Sequence, residues 1–312
     1  MKPQLLVTAP MTPATLARLE AEYTAHRLWQ AADRAAFLAE HGPHIRAMAT
    51  SALGGFIGAE LIAQLPALEI IANFGVGYDN IDVEAASARG VVVTNSPGVL
   101  DEEVADLTLG LLLATLRQIP QAERHLRAGL WGSQAFPLSP SLRGRRVGIL
   151  GLGAIGKAVA RRLEGFGVEL AYCGRHRQSV PYAYYPSPLA LAEAVDTLIV
   201  LTPGGAATRH LVGADVLAAL GAEGVLINVA RGSVVDTAAL ITALEAGTIL
   251  TAGLDVFENE PEVPPALLAL PQVVCLPHIG SASAVTRAAM GKLMADNLAS
   301  WFAGTGALTP VN

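Results

Sequence analysis

The sequence predicts an α/β protein with two domains of Rossmann-like or flavodoxin-like type, each built on a parallel sheet. Strand and helix patterns alternate along the whole chain, which is typical of parallel strands covered by helices. The chain has 312 residues, of which 52% are hydrophobic and 15% charged. That length and composition suffice for two cores of ordinary size. A glycine-rich turn near the middle of the chain follows a strand pattern and opens a helix pattern.

The net charge of −6 argues against nucleic acid as a partner, because phosphate binding requires a basic face. The N-terminus lacks a signal-peptide layout, and the longest apolar stretch, Leu107–Leu116, is too short to span a bilayer. Cys173 and Cys275 lie in apolar strand-like runs, with neither a metal-ligand spacing nor a disulfide framework. We therefore expect a reduced cytoplasmic protein with no metal ion, no membrane association and no nucleic-acid partner.

The first hundred residues alternate strand and helix patterns. Thr12 and Pro13 are typical of the N-cap and first position of a helix, and Asp101 is placed to cap a helix over Glu102–Arg117. The apolar length of that second helix predicts that it is buried. The predicted strands of this half are Gln4–Ala9, Ile45–Ser51, Glu69–Phe74 and Val91–Thr94.

The second half begins after an irregular stretch, Ala128–Leu142, which predicts a loop. The last predicted helix, Ala282–Ala303, is placed to return to the first domain, so a single cut near the middle is too simple. The predicted strands of this half are Val147–Leu150, Val168–Cys173, Thr197–Thr202, Val225–Ala230, Thr251–Phe257 and Val273–Leu276.

The glycine-rich turn predicts a dinucleotide site. Its six residues are Gly151, Leu152, Gly153, Ala154, Ile155 and Gly156, between the strand Val147–Leu150 and a helix over Lys157–Glu164. In this context the first glycine makes the turn, the second admits the pyrophosphate and the third lets helix pack on strand. Amides at the helix start then bind phosphate. A plain structural turn is the weaker interpretation.

The end of the next strand indicates which dinucleotide binds. An NAD site carries an acidic residue there, about 20 residues past the glycine loop, for the ribose hydroxyl. This chain has Cys173 at that point, followed by Gly174, Arg175, His176 and Arg177. A missing carboxylate and two arginines favour the 2′-phosphate of NADPH or NADP over NADH. A solvated basic turn is the alternative.

Three polar residues follow apolar strand patterns after the glycine loop, namely Arg231, Glu260 and His278. Carboxyl ends of parallel strands meet at the ligand-binding edge of a sheet. An arginine binds a carboxylate with two donors, and a carboxylate beside an imidazole favours the protonated form that acts as an acid. Each residue alone is also typical of a structural role. Together they predict the reduction of a 2-keto acid.

A fourth feature is the loop Gly75, Val76 and Gly77, directly after the strand Glu69–Phe74. Two glycines around one residue bring backbone amides against an anion, such as a substrate carboxylate. A purely structural turn explains the same pattern equally well.

Five segments together resemble the D-isomer-specific 2-hydroxyacid dehydrogenase family, over nearly the whole chain. The resemblance is strongest to its NADPH-linked hydroxypyruvate, glyoxylate and hydroxyphenylpyruvate reductases, and extends to Tyr182–Pro186, Leu217–Asn228 and the ending Leu308–Val311. The five segments are Gly75–Asp82, Val147–Gly167, Leu226–Asp236, Gly253–Pro261 and Leu276–Ser283.

The resemblance implies roles for single residues. His278 corresponds to the acid, Glu260 to its partner and Arg231 to the substrate-binding arginine, while Gly75–Gly77 corresponds to the carboxylate-binding loop. Asp255 corresponds to a residue beside the nicotinamide carboxamide. Further cofactor contacts are expected at Thr202, Pro203, Ala230 and Gly280.

The resemblance also implies an arrangement of domains. A discontinuous substrate-binding domain is expected at 1–98 and 281–312, with a cofactor domain at 99–280 and the active site in the cleft between them. Members are usually homodimers that associate through the cofactor domain. Leu53, Gly54, Leu100 and Trp131 are candidates for lining the substrate pocket.

Two differences from other enzymes of this fold narrow the expected activity. Glu260 is retained where formate dehydrogenases of this fold carry glutamine, and the chain ends without the regulatory extension of longer phosphoglycerate dehydrogenases. Two alternatives stay open: a dinucleotide-sensing protein similar to the corepressors of this fold, and an NAD-linked dehydrogenase acting oxidatively. The absence of disordered tails and of a basic patch argues against the first, and Arg175 against the second.

Overall fold

The computed structural model describes residues 2–312 and divides the chain into two compact units. One unit comprises Met1–Leu100 and Ser281–Asn312, and the other is Asp101–Gly280. Each unit has its own parallel sheet with helices packed on it, which confirms the predicted fold class.

The first unit has a five-stranded parallel sheet in the order β2-β1-β3-β4-β5, the flavodoxin-like order. Its core is formed by apolar side chains on the inner strands, including Leu6, Met48 and Ile71. The strands are β1 Gln4–Val7, β2 Thr24–Arg27, β3 Ile45–Thr50, β4 Ile70–Asn73 and β5 Val92–Thr94, and the helices are α1 Pro13–Glu22, α2 Arg34–His41, α3 Ala59–Ala63 and α4 Val83–Ala88.

The end of the chain belongs to this first unit. The last helix, Ala284–Phe302, is capped by Ser283 and packs on α1 and β4. The residues after this helix, 303–312, form the C-terminal tail. Pro310 of the tail pairs with Thr94 in an antiparallel bridge, so the tail lies along the outer edge of β5. An edge strand with unpaired backbone groups is thereby covered.

The second unit has a seven-stranded parallel sheet. Its strands are β6 Arg146–Leu150, β7 Glu169–Cys173, β8 Ala183–Tyr185, β9 Thr197–Val200, β10 Val225–Asn228, β11 Thr251–Leu254 and β12 Val274–Cys275. The order β12-β11-β10-β9-β6-β7-β8 is the Rossmann order with one further strand. Its helices are α5 Asp101–Leu116, α6 Ile119–Arg127, α7 Ala154–Glu164, α8 Pro188–Ala194, α9 Ala214–Leu220, α10 Thr237–Glu245 and α11 Pro265–Leu268.

Several predicted boundaries are wrong. The edge strands β2 and β8 were not predicted, because both are short and partly exposed and so lack an apolar run. Strand β10 ends two residues earlier than predicted, at Asn228, and β11 ends three residues earlier, at Leu254, since backbone pairing between the two strands stops there. Asp101 is the first residue of α5 and not its cap, and Gln118, with φ of 50°, separates α5 from α6.

In the described residues, no helix has both the length and the apolar character that a membrane span requires.

Arg145 lies at the amino-terminal edge of the second sheet and is only 8% exposed. Its guanidinium forms several hydrogen bonds there. Its Nη1 donates to the Asp196 backbone oxygen and Oδ1, both at 3.2 Å, and to the Glu223 carbonyl at 3.0 Å. Its Nε donates to the Ser141 carbonyl at 3.1 Å. One guanidinium therefore satisfies acceptors from three separate segments.

Arg145→Ala should lower the free energy of unfolding by about 3 kcal/mol, because it leaves several buried acceptors without a donor. Thermal and urea unfolding measure the change. Arg143→Ala, which truncates an exposed arginine two residues earlier, is the matched control and should be nearly neutral. Equal stability of the two variants would contradict the proposed role of Arg145.

Candidate active site

The three predicted catalytic residues follow three adjacent strands of the second sheet. β10, β11 and β12 are parallel neighbours, so their carboxyl ends lie at one edge. Arg231 lies after β10, Glu260 after β11 and His278 after β12. Because the strands are shorter than predicted, each residue is carried on a loop and not directly on a strand end.

Glu260 and His278 form a hydrogen-bonded pair. His278 Nδ1 lies 2.6 Å from Glu260 Oε2, and the other carboxylate oxygen accepts from the Phe257 amide at 2.9 Å. The side chains of His278 and Glu260 are 35% and 29% exposed, respectively, so a ligand has access to the pair. Since Nδ1 is engaged, Nε2 is the ring nitrogen left for proton transfer.

The surroundings of Glu260 favour its charged form. Burial by itself raises the pKa of Glu260, but three other effects outweigh it and hold the pKa below its ordinary value. These are the hydrogen bond from His278, the Phe257 amide, and the positive charges of His278 and Arg231. Glu260 is therefore a carboxylate near neutral pH, and Arg231 is close enough to influence its charge.

His278 sits in a left-handed turn, with φ of 52°. That conformation costs a non-glycine residue about 1–2 kcal/mol, so other contacts must hold it. Asp255 supplies them. Its carbonyl accepts from the His278 amide at 2.9 Å, and its two carboxylate oxygens accept from the Ile279 and Gly280 amides, each at 2.8 Å.

Asp255 is 1% exposed and therefore lies inside the second unit. Burial raises the pKa of Asp255, although the amides of Ile279 and Gly280 and the charge of His278 oppose the effect. Each carboxylate oxygen has a second lone pair, so the bonds to the turn leave acceptor capacity. The expected contact between Asp255 and a nicotinamide carboxamide stays a prediction.

Arg231 is held by its own loop. Asn228, the last residue of β10, donates through Nδ2 to the Arg231 carbonyl at 2.9 Å and accepts from the Ala230 amide at 3.1 Å. Arg231 Nη1 donates to the Ala230 carbonyl at 2.8 Å. The guanidinium has five N–H donors in a planar fork.

Gly232 brings the Arg231 loop against the segment that leads to Glu260. A Cβ atom at this position would overlap the backbone of Phe257 and Glu258. Phe257 is also the residue whose amide binds Glu260. Close approach at Gly232 therefore sets the spacing between Arg231 and Glu260.

A second histidine–carboxylate pair lies beside this segment and was not predicted. Glu258 Oε1 accepts from His210 Nε2 at 2.7 Å and from Arg209 Nη2 at 2.9 Å. Burial raises the pKa of Glu258, but the bonds from His210 and Thr237 outweigh it, so the pKa is lowered. The pair ties the loop after β9 to the loop after β11. Arg209 and His210 do not directly follow an apolar strand pattern, so the sequence gave no reason to select them.

The glycine loop has the geometry that a dinucleotide requires. Gly151 has φ of 104°, and a Cβ there would lie 2.8 Å from the Thr202 nitrogen. At Gly156 a Cβ would overlap the Gly151 carbonyl. A Cβ at Gly153 meets nothing within 4 Å, so packing inside the protein does not require this glycine. The expected role of Gly153, to leave space for a pyrophosphate, stays a prediction.

Two further features fit a bound cofactor. Among the described residues, Thr202 Oγ1 is buried and has no hydrogen-bond partner, next to the glycine loop. Gln178 Nε2 donates to the Leu152 carbonyl at 2.9 Å and so ties the glycine loop to the turn after β7. Arg175, His176 and Arg177 are exposed in that turn, where a ribose phosphate is expected.

The remaining predicted positions lie in different surroundings. Leu53 is 80% and Trp131 74% exposed, whereas Leu100 is buried, with 4% exposed. Gly54 is packed against Thr8. The role of these four residues in substrate selection stays a prediction. The Gly75–Gly77 loop follows β4 in the first unit.

Gly232→Ala should reduce turnover severely, because the added methyl group forces apart the segments that carry Arg231 and Glu260. Initial rates and thermal unfolding measure the effect. The matched control is Gly132→Ala, since a Cβ at Gly132 meets nothing within 4 Å. Full activity of Gly232→Ala would show that the spacing is not required.

Comparison with known proteins gives a consistent result. Residues 109–280 match the model of the D-isomer specific 2-hydroxyacid dehydrogenase, NAD binding domain. The chain is 44% identical to glyoxylate/hydroxypyruvate reductase A of Arabidopsis thaliana, with 98% of each chain covered. It is 42% identical to hydroxyphenylpyruvate reductase of Plectranthus scutellarioides, again with 98% of each covered.

A solved structure is also similar over the whole chain. The NADPH-dependent glyoxylate/hydroxypyruvate reductase of Sinorhizobium meliloti, in complex with NADP and malonate, is 55% identical with a TM-score of 0.94. The match covers 100% of this chain and 97% of that one. The chain described here belongs to the D-isomer-specific 2-hydroxyacid dehydrogenase family.

Proposed function

We propose that the protein reduces a small 2-keto acid of the glyoxylate or hydroxypyruvate type to the D-2-hydroxy acid, with NADPH as the reductant. The hydrogen-bonded pair of His278 and Glu260 carries this proposal, because it lies at an edge of the sheet that also bears the glycine loop. The names of the relatives in Arabidopsis thaliana and Sinorhizobium meliloti support the same reaction.

In the proposed reaction, the contacts of His278, Glu260 and Arg231 indicate a separate role for each residue. The cofactor, when bound, supplies a hydride to the carbonyl carbon of the keto acid. His278 donates the proton from Nε2 to the carbonyl oxygen, while Glu260 holds Nδ1 and stabilises the positive charge before transfer. Arg231 binds the substrate carboxylate with its planar donors.

The turn after β7 supports NADPH over NADH. Arg175 and Arg177 are exposed where the second ribose of a dinucleotide is expected, and the strand ends in Cys173 without a carboxylate. A 2′-phosphate gains charge-assisted hydrogen bonds from the arginines and meets no repelling carboxylate.

Other features remain part of the proposal. The carboxylate contact of Gly75–Gly77, the homodimer through the cofactor domain and the cytoplasmic location follow from the sequence and family resemblance alone. The dinucleotide-sensing alternative is not favoured, since the relatives are named as reductases. The same names argue against an NAD-linked enzyme that works oxidatively.

The proposal is tested by the initial rate of NADPH oxidation with hydroxypyruvate and with glyoxylate, repeated with NADH. The wild-type protein should turn over with NADPH. His278→Asn should lower kcat by about 100-fold or more, because it removes the proton donor, while binding of NADPH is retained.

NADPH binding, followed by fluorescence, serves as the control for correct folding of the variant. No turnover by wild-type protein on either acid would contradict the proposed reaction. Unchanged kcat in His278→Asn would contradict the assigned acid.

Arg175→Ala should raise the KM for NADPH about tenfold, since one charge-assisted hydrogen bond of roughly 1.5–3 kcal/mol is lost. The KM for NADH should change little, because NADH has no 2′-phosphate. Steady-state kinetics with both cofactors measure the ratio. An equal effect on the two cofactors would exclude Arg175 from the 2′-phosphate site.

A further inference from the structure

Two buried asparagine side chains of the first unit form hydrogen bonds to the carbonyls of the Gly75–Gly77 loop. Asn73 Nδ2 donates to the Gly75 carbonyl at 3.1 Å and to the Gly77 carbonyl at 2.8 Å. Asn95 Nδ2 donates to the Val76 carbonyl at 2.8 Å. Asn73 is 1% and Asn95 9% exposed. All three carbonyls of the loop are thus bound on the protein side.

These bonds decide where the loop's amides point. In a trans peptide the N–H lies opposite the carbonyl of the preceding residue. The Gly75 carbonyl, also bound by the Ser96 amide at 2.9 Å, therefore directs the Val76 N–H away from the asparagines. The Val76 carbonyl does the same for the Gly77 N–H. Two neighbouring amides then face the side from which an anion approaches.

Asn95 is in turn held by the C-terminal tail. Thr309 Oγ1 donates to the Asn95 carbonyl at 2.7 Å, and the Asn95 amide donates to the Thr309 carbonyl at 3.3 Å. Asn297, fully buried in the last helix, donates through Nδ2 to Thr309 Oγ1 at 3.0 Å. Its Oδ1 accepts from the Leu308 and Thr309 amides, at 2.9 and 3.0 Å.

The last two residues of the tail cover the edge of β5. The Val311 amide donates to the Val93 carbonyl at 2.9 Å, and Asn312 Oδ1 accepts from the Val93 amide at 2.8 Å. The side chains of Thr309 and Asn297 add a polar chain that runs through Asn95 to Val76. Buried polar chains of this kind are rigid when every member is satisfied.

We infer that Thr309, Asn297, Asn95 and Asn73 are positioning residues that orient the Val76 and Gly77 amides for the carboxylate of the substrate. The inference rests on the proposed function, since that function places a carboxylate at this loop. It adds that the C-terminal tail tunes substrate affinity from a position behind the loop. None of the four side chains needs to touch the substrate for this role.

The test compares Thr309→Val with Thr309→Ser and with the matched control Thr305→Val. Thr305 is an exposed threonine of the same segment whose hydroxyl bonds only to Ser300 in the described structure. Thr309→Val should raise the KM for hydroxypyruvate about three- to tenfold, the range for loss of one or two neutral hydrogen bonds. The KM for NADPH and kcat should stay within about twofold.

A second readout avoids turnover. Malonate, the dicarboxylate bound by the Sinorhizobium meliloti protein, is used as an inhibitor competitive with the keto acid. Its inhibition constant should rise by the same factor in Thr309→Val, and Thr309→Ser should restore both values. Asn73→Ala, which removes two bonds on the other side of the loop, should reproduce the effect if Thr309→Val unfolds.

The possible results are distinct. If wild-type protein reduces hydroxypyruvate but Thr309→Val and Asn73→Ala behave as Thr305→Val does, the positioning role is wrong. If Thr309→Val raises both KM values and lowers kcat together with thermal stability, the tail acts only on folding and the role is again wrong. Failure of wild-type protein to turn over instead contradicts the proposed function.

Discussion

The hydrogen bond between His278 Nδ1 and Glu260 Oε2 is the interaction on which the proposed chemistry depends. In the proposed reaction, Nε2 is then the nitrogen that exchanges a proton, and the Glu260 carboxylate stabilises the imidazolium. Asp255 keeps His278 in its left-handed turn by binding the amides that follow. The buried carboxylate of Asp255 thus holds the turn that contains His278, while the more exposed carboxylate of Glu260 bonds to the imidazole ring.

Close approaches of backbone to backbone arrange this edge of the sheet. Gly232 allows the loop after β10 to lie against the segment that contains Phe257. Gly151 does the same between the first turn of the Rossmann sheet and the backbone of Leu201 and Thr202, and Gly156 does so between that turn and its helix. Gly153 differs, because no protein atom lies where its side chain would be. Close packing therefore explains Gly232, Gly151 and Gly156, whereas packing inside the protein does not explain Gly153.

In the first unit, the proposed carboxylate site depends on the direction of the backbone amides of the Gly75–Gly77 loop. A backbone amide is a strong donor, but its direction is fixed only where the peptide group is held. Asn73 and Asn95 donate hydrogen bonds to the carbonyls of the loop, and Thr309 of the tail donates to the Asn95 carbonyl. Burying these polar groups is costly unless they are bonded. Here each side-chain nitrogen donates to a carbonyl, whereas Asn73 Oδ1 is buried without a hydrogen-bond partner among the described residues.

Short sequence patterns were enough to predict most strands of the two sheets, but not their edge strands or their exact ends. Apolar runs between polar turns predicted all the inner strands, and the glycine spacing predicted the cofactor loop. The weak points were β2 and β8, which lie at sheet edges and are partly exposed, so that few apolar residues mark them. Strand ends were placed too late because apolar residues continue past the last paired residue, as Val229 and Val256 show.

The sequence by itself determined the fold class and the order in which Arg231, Glu260 and His278 follow their strands, since both depend on short-range patterns. Only the tertiary structure decided that Gly232 spaces Arg231 from Glu260, that His210 pairs with Glu258, and that Thr309 supports Asn95. These contacts join residues that are distant in the chain. Their partners are selected by how the strands are ordered in the sheets, which no local pattern encodes.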